Sequence, residues 1–319
     1  MSRVGEALRL GTRGSALALA QARTVAGLLE DSETGLEVEL VPIRTSGDER
    51  GAGVLRSGDA RDEPDDKSRF VKEIEQALVE GEVDLAVHSA KDVPGDLPDG
   101  LAIVGVTERA DPRDALLGAA ALEDLREGAA VGTASLRRGA QLLAHRPDLA
   151  VRDLRGNVDT RLRRLEDDDF DAIVLARAGL ARLGQDRGAP IPAAEMTPSP
   201  GQGCLLLEAR AGDSDAAGRA AAVTHRDSAV RLTAERALVA ALGATCRTPI
   251  GAHAELAKGR LELSTFVGLP HGAAWIRDSV GGPAEDAAAL GRSAAERLAA
   301  AGAIELLADA ERMALEPGR

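Results

Sequence analysis

Arginine in this chain recurs where a short apolar run gives way to a helical one. "GTRGS" (11–15), "GTASLRR" (132–138) and "LRGN" (154–157) each set arginine beside Gly, Ser, Thr or Asn. A guanidinium can grip a planar carboxylate through two parallel hydrogen bonds. The helix that follows adds free N–H groups and the positive end of its dipole. Three such junctions fit a ligand with several carboxylates or several phosphates. No GxxxxGK[ST] or GxGxxG accompanies them, which favours the polycarboxylate. Residues 132–164 hold eight arginines against three acids, although Arg152, Arg163 and Arg164 read equally well as a solvated helix face.

Two further stretches carry reactive groups. In "VHSAKDVP" (87–94), Asp92 reads either as a turn residue before Pro94 or as a carboxylate kept ionised by cations and able to stabilise a cationic intermediate. His88 reads as a general base or as a hydrogen-bonded structural residue. "GATCRTPIGA" (243–252) holds Cys246, one of two cysteines in the chain. It lies past the apolar helical stripe that ends at Leu242, after a Gly243 able to stop the helix. Arg247 beside it would favour a thiolate. The alternative is a small buried hydrophobe, the reading given to Cys204 in the apolar "GCLLLEA".

These residues need a scaffold, and the pattern supplies one. A strand at 8–12 leads into a helix over 15–30 capped by Ser15, and 36–45 alternates as a strand. Residues 46–66 form a polar loop with seven acids and three arginines, expected to be mobile. A helix over 67–81 and a buried strand over 83–90 follow. The alternation then repeats: strand 129–133, helix 135–146, strand 149–156, helix 157–168, and a strand passing into a short helix over 171–184. Strand–helix alternation of this kind predicts parallel sheets with helices on both faces, whose ligands bind at the carboxyl ends of strands. Beyond 200 come a strand at 203–210, a helix over 225–243, strands near 261–267, a Gly/Pro linker at 281–283 and a helix over 284–301. These last elements read as a smaller α+β domain.

Taken in order, "LGTRGSALALAQA", "FVKEIEQALVEGEVDLAVHSAKDVP", "ERADPRDALLG", "VGTASLRRGAQLLAHRPDLAVRDLRGNVDTRLRRL", "DAIVLARAGLARLG", "GQG", "TAERAL" and "CRTPIGAHAEL" resemble the porphobilinogen deaminase (hydroxymethylbilane synthase) family from about residue 8 to near the end. The resemblance implies two doubly wound α/β domains like type II periplasmic binding proteins and a smaller α+β C-terminal domain: 1–108 with 200–222, 109–199, and 223–319. It places the active site in the cleft between the first two. The implied reaction joins four porphobilinogen molecules head to tail, releasing four ammonia, within tetrapyrrole (porphyrin) biosynthesis. It implies a dipyrromethane cofactor attached by a thioether to Cys246. Asp92 matches the catalytic aspartate, which hydrogen-bonds pyrrole N–H groups and stabilises the azafulvene left when ammonia departs. Arg13, Arg137, Arg138, Arg155, Arg161 and Arg182 match carboxylate binders. Ser15, Lys67, Lys91, Thr133, Ser135, Gly156 and Gln202 complete the implied cofactor and substrate contacts, and no metal is implied. The chain departs from the family pattern at "KSRF" (67–70), at Ala134-Ser135 and at Ala244-Thr245-Cys246.

Composition weighs against other classes. A net charge of −13 and an aromatic content of 1% disfavour nucleic acid, which needs clustered cations and stacking rings. A carboxylate-binding receptor on the same architecture would have no use for Cys246. Nothing near the start reads as a signal-peptide core, and no run approaches the ~18 apolar residues of a membrane span. A cytoplasmic monomer is therefore expected, with neither membrane nor nucleic acid as partner. Only four of 39 basic residues are Lys. An acidic, Lys-poor, Ala-rich chain of halophilic type suits a salt-rich cytoplasm, where self-repulsion is screened. The expected behaviour is stability that persists in high salt and weakens in low salt, measured by a salt titration of the melting temperature.

Overall fold

Alternating strands and helices build two sheets of the same design. The computed structural model describes residues 7–43, 69–245 and 248–315. They divide into two compact units, one within Met1–Ala110 and Cys204–Ala229, the other within Asp111–Gly203 and Val230–Arg319.

The first unit contains β1 (Leu8–Arg13), α1 (Ala16–Ser32), β2 (Val38–Ile43), α2 (Arg69–Val79), β3 (Leu85–Ser89) and β4 (Leu101–Val106). After a long excursion the chain returns with β10 (Leu205–Arg210) and α6 (Ser214–Ala222). The strand order is β2-β1-β3-β10-β4. The first three strands run parallel, and β10 is antiparallel to both β3 and β4. Leu8, Leu10, Leu85, Val87, Leu205 and Leu207 turn one face of the sheet toward α1 and α6. On the other face Ala86 packs with Ile74 and Leu78 of α2, so period two in the strands is answered by period 3.6 in the helices. Ser15 caps α1 by accepting from Ala18 N.

The second unit repeats the plan with β5 (Asp114–Leu117), β6 (Ala130–Gly132), α3 (Leu136–His145), β7 (Ala150–Arg152), α4 (Val158–Glu166), β8 (Ala172–Ala176), α5 (Arg177–Arg182) and β9 (Ala189–Pro190). Its sheet runs β7-β6-β8-β5-β9, again with three parallel strands and an antiparallel fourth. The same unit holds the smaller C-terminal domain: α7 (Arg226–Ala241), β11 (Ile250–Ala257), β12 (Arg260–Gly268), β13 (Trp275–Pro283), α8 (Ala287–Ala300) and α9 (Ala303–Leu315). Its antiparallel sheet β11-β12-β13 buries Ala252, Ala254 and Leu263 against Leu238 of α7 and Leu298 of α8. Gly243, at φ +60°, follows the last turn of α7 in the left-handed conformation that stops a helix.

The structure corrects the sequence reading at 281–283. The expected linker is the end of β13, paired along β12 as far as Pro283 opposite Arg260. An edge strand tolerates Gly and Pro because one side needs no ladder partner. Strands β4, β5, β9, β11 and β13 and helices α6 and α9 are further elements that the pattern did not show. The 46–66 loop lies outside the described residues, among which no helix is long and apolar enough to cross a membrane.

One charged group interrupts the core beneath α2. His88 and Glu208 are buried side by side, with Nε2 3.1 Å from Oε2 but not aligned as a hydrogen bond. Glu75 of α2 is buried close enough to feel both. Burial first, and the Glu208 charge second, push the Glu75 carboxyl up from its ordinary value, with His88 offsetting part of this. The fold therefore favours neutral Glu75. That contribution is complete below the ordinary carboxylate value near 4.5 and is lost as pH rises through the raised one. Glu75→Gln is expected to melt above the parent at pH 8, with the gap closing towards pH 4.5. A lower melting temperature for the variant at pH 8 would contradict this account.

Candidate active site

The parallel pairing of β1 with β3 brings their carboxyl ends to the same edge of the first sheet. Arg13 ends β1, and Ser15 caps the helix that follows. Beyond β3, Ala90–Asp92 form a single 3-10 turn that carries Lys91 and Asp92, both half-buried. Ala90 N donates to Cys204 O at 3.1 Å, which ties this turn to the start of β10. Cys204 itself is fully buried, as its apolar context predicts. His88 points into the cluster under α2, so its imidazole is an interior group.

The second sheet places its arginines with more constraint. Ser135 caps α3, accepting from Arg138 N, and Thr133 Oγ1 accepts from Ser135 N at 3.2 Å. The first turn of α3 carries Arg137 and Arg138, which are only 4% and 6% exposed. Both close on one carboxylate, Asp114 at the start of β5, which is completely buried. Arg137 Nη2 donates to Oδ2 at 2.8 Å, and Arg138 donates to Oδ1 from Nε at 3.0 Å and Nη2 at 2.8 Å. Gln202 Nε2 adds a bond to Oδ1 at 2.9 Å. Two further guanidinium donors reach main-chain oxygens: Arg137 Nη1 to Thr197 O at 2.7 Å and Arg138 Nη1 to Val174 O at 3.1 Å.

Burial alone would raise the Asp114 carboxyl, but Arg137, Arg138 and Gln202 outweigh it and hold it far below the usual carboxylate range. Burial works the other way on Arg137, lowering its value against the pull of Asp114, yet arginine stays protonated in proteins. Two guanidinium groups on one carboxylate leave a buried excess of one positive charge at a helix N-terminus. Such a site favours an anion.

The other expected arginines of this unit each have partners of their own. Arg182 Nη2 donates to Gly203 O at 2.7 Å, beside Gln202. Arg155 is exposed and paired with Asp153 at 2.6 Å. Arg161 Nε donates to Gly156 O at 2.7 Å, so Arg155, Gly156 and Arg161 form a second group at the β7–α4 junction. Lys67 and Cys246 lie outside the described residues. The sequence reading missed Asp114. Its signal was the Arg-Arg pair itself, since two cations in the first turn of a core helix need a buried counter-charge. Among the described residues Glu123, His145 and Glu195 also bring ligand atoms within 4.8 Å of one another. They sit at the surface, on the far end of α3 from the arginine pair.

Two α/β sheets of one plan, with arginines at helix starts beyond their strand ends, and a smaller antiparallel C-terminal part define an α/β protein. Residues 8–218 match the family model for "Porphobilinogen deaminase, dipyromethane cofactor binding domain", and residues 229–300 match that for "Porphobilinogen deaminase, C-terminal domain". The chain belongs to the porphobilinogen deaminase family. Its activity is that of a transferase, hydroxymethylbilane synthesis from porphobilinogen in tetrapyrrole biosynthesis, and its cofactor is dipyrromethane. Similar solved structures include an ABC-transporter periplasmic substrate-binding protein from Coxiella burnetii (TM-score 0.42, 14% identity, 70% of this chain and 94% of that one). Another is a nutrient binding protein from Burkholderia cenocepacia bound to methionine (TM-score 0.42, 14% identity, 69% and 93%).

The donor set suits the cofactor. Dipyrromethane presents acetate and propionate carboxylates, and the site offers guanidinium groups, hydroxyls and a buried positive excess in place of metal ligands. Asp114→Asn would leave two buried guanidinium groups without a full counter-charge. The expected loss is about 3–5 kcal/mol of unfolding free energy, read from urea melts. A loss below about 1 kcal/mol would show that the pair does not depend on Asp114.

Proposed function

We propose that the chain holds dipyrromethane by a thioether from Cys246 and extends it with Asp92 as the catalytic carboxylate and its arginines as carboxylate clamps. The observation that carries this reading is the buried, net-positive Asp114–Arg137–Arg138 group in a chain whose overall charge is −13. Keeping a positive excess out of water is costly, and an anionic ligand removes the cost. Bound dipyrromethane supplies the free pyrrole end on which product is assembled. The protein's part is to hold carboxylates, orient rings and stabilise charge.

Arg137 and Arg138 would meet the deepest carboxylates with Thr133 and Ser135 as hydroxyl or main-chain donors. Arg155, Arg161 and Arg182 would take others, and Arg13, Ser15, Lys67, Lys91 and Gln202 complete the set. When ammonia leaves the aminomethyl carbon of porphobilinogen, positive charge spreads over its pyrrole ring. Asp92, carried on a short turn at a strand end, would accept the ring N–H and stabilise that charge as it develops. Three domains, with boundaries near 108, 199 and 222, a cytoplasmic monomer and no nucleic-acid partner belong to the same reading, and the acidic, aromatic-poor composition supports the last of these.

Intact mass tests the attachment. The purified chain is expected to exceed its sequence mass by one dipyrromethane, and Cys246→Ser to lack the excess. An active protein of unmodified mass would sink the proposal. Asp92→Asn is expected to fold and carry the cofactor while kcat falls at least about 100-fold. Turnover within a few-fold of the parent would remove Asp92 from the chemistry.

A further inference from the structure

The segment 197–203, "TPSPGQG", is held from two sides within the second unit. One side serves the arginine group. Thr197 O accepts from Arg137 Nη1 at 2.7 Å and Gln141 Nε2 at 3.0 Å, and Thr197 N donates to Gln141 Oε1 at 2.7 Å. Gln202 reaches Asp114, and Gly203 O receives Arg182. The other side belongs to the C-terminal domain. Ala252 N of β11 donates to Pro198 O at 2.9 Å. Gly251 approaches so closely that a Cβ there would lie 2.8 Å from Thr197 O.

Between the two sides lies Glu235 of α7, completely buried. Its Oε2 accepts from Gly201 N at 2.7 Å and its Oε1 from Ala254 N of β11 at 2.8 Å; His253 Nδ1 stands 3.9 Å away. A buried carboxylate in a helix whose neighbours are Ala234 and Leu238 is costly to desolvate, so hydrophobic packing does not explain it. Its charge-assisted bonds go to main-chain N–H groups of two segments distant in sequence. Gly201 and Gly203 have φ of +73° and +93°, a shape that side-chain-bearing residues rarely adopt. Fixing Gly201 N therefore fixes where Gln202 and Gly203 O point.

We propose that Glu235 is a positioning residue for the arginine site: it grips the turn that aims Gln202 at Asp114 and Gly203 O at Arg182, and makes that geometry depend on the strand following the Cys246 loop. The proposal rests on the reading of Arg137 and Arg138 as carboxylate binders.

The experiment compares full-length Glu235→Gln, Gln202→Leu, their double variant, Arg138→Leu and Leu238→Ala. It reads melting temperature, the fraction of chain carrying the dipyrromethane mass, and the rate at which the remainder gains mass on adding porphobilinogen. Glu235→Gln is expected to fold and to gain mass at least 10-fold more slowly. Adding Gln202→Leu should slow it little further, because both act through one turn. Leu238→Ala, which lowers stability from the same helix without touching the turn, should gain mass at the parental rate. The proposal is overturned if Glu235→Gln gains mass normally, if Leu238→Ala slows it equally, or if the two turn variants add fully. Arg138→Leu separates the two ideas: normal mass gain there removes the carboxylate-binder reading, whereas a stall there beside a normal Glu235→Gln removes only the positioning role. Native-state hydrogen exchange on the parent keeps the test open should Glu235→Gln not fold. Gly201 N–H is expected to be protected to within about 10-fold of Ala254 N–H, and exchange at a loop-like rate would overturn the proposal.

Discussion

Asp114 is the point on which the second sheet turns. One carboxylate without solvent contact gathers Arg137, Arg138 and Gln202, and through them the start of α3, the 197–203 segment and the middle of β8. A lone buried carboxylate or a lone buried guanidinium would be prohibitively costly. Together they are tolerable, but they leave the group one negative charge short of balance. The same arrangement thus holds the fold together and, in the function proposed above, prepares it for an anion. On that proposal a structural core and a binding site are built from the same atoms.

Much of this was legible in the sequence because the relevant signals are local. Ser15 and Ser135 before apolar-periodic runs give helix starts, and the structure shows both as caps. The parallel sheets follow from strand–helix alternation, and the arginines at junctions point to a polycarboxylate before any family is considered. What stayed hidden depends on distant partners. Strand β5 is four residues long and exists because β8 and β9 flank it. Asp114 and Glu235 look like ordinary acids in a chain with 52 of them. Their roles arise only when segments remote in sequence converge on them.

The two buried acid centres differ in a way that explains their chemistry. Glu235 accepts main-chain N–H groups from Gly201 and Ala254 and so anchors backbone. Asp114 is met by full charges and organises the Arg137 and Arg138 side chains. Beneath α2, Glu75, His88 and Glu208 form a third kind, in which carboxylates crowd one imidazole and the balance of protons decides how comfortably the helix sits.

The strand order of the first sheet also has a consequence for how the protein is made. β3 and β4 are not neighbours; β10 lies between them. As the chain leaves the ribosome, β4 emerges with its place in the sheet still missing, and the strand that supplies it follows roughly 100 residues later. At about 5–20 residues per second that is a delay of roughly 5–20 s. Throughout it the first sheet exposes the edge of β3 and apolar surface meant for β10. The second sheet waits less: β5 needs β8, roughly 55 residues further on, and all of its strands lie in one continuous stretch between Asp114 and Pro190. The part of the molecule synthesised first is therefore completed after the part synthesised second, and the early chain must be kept from pairing with its neighbours in the meantime.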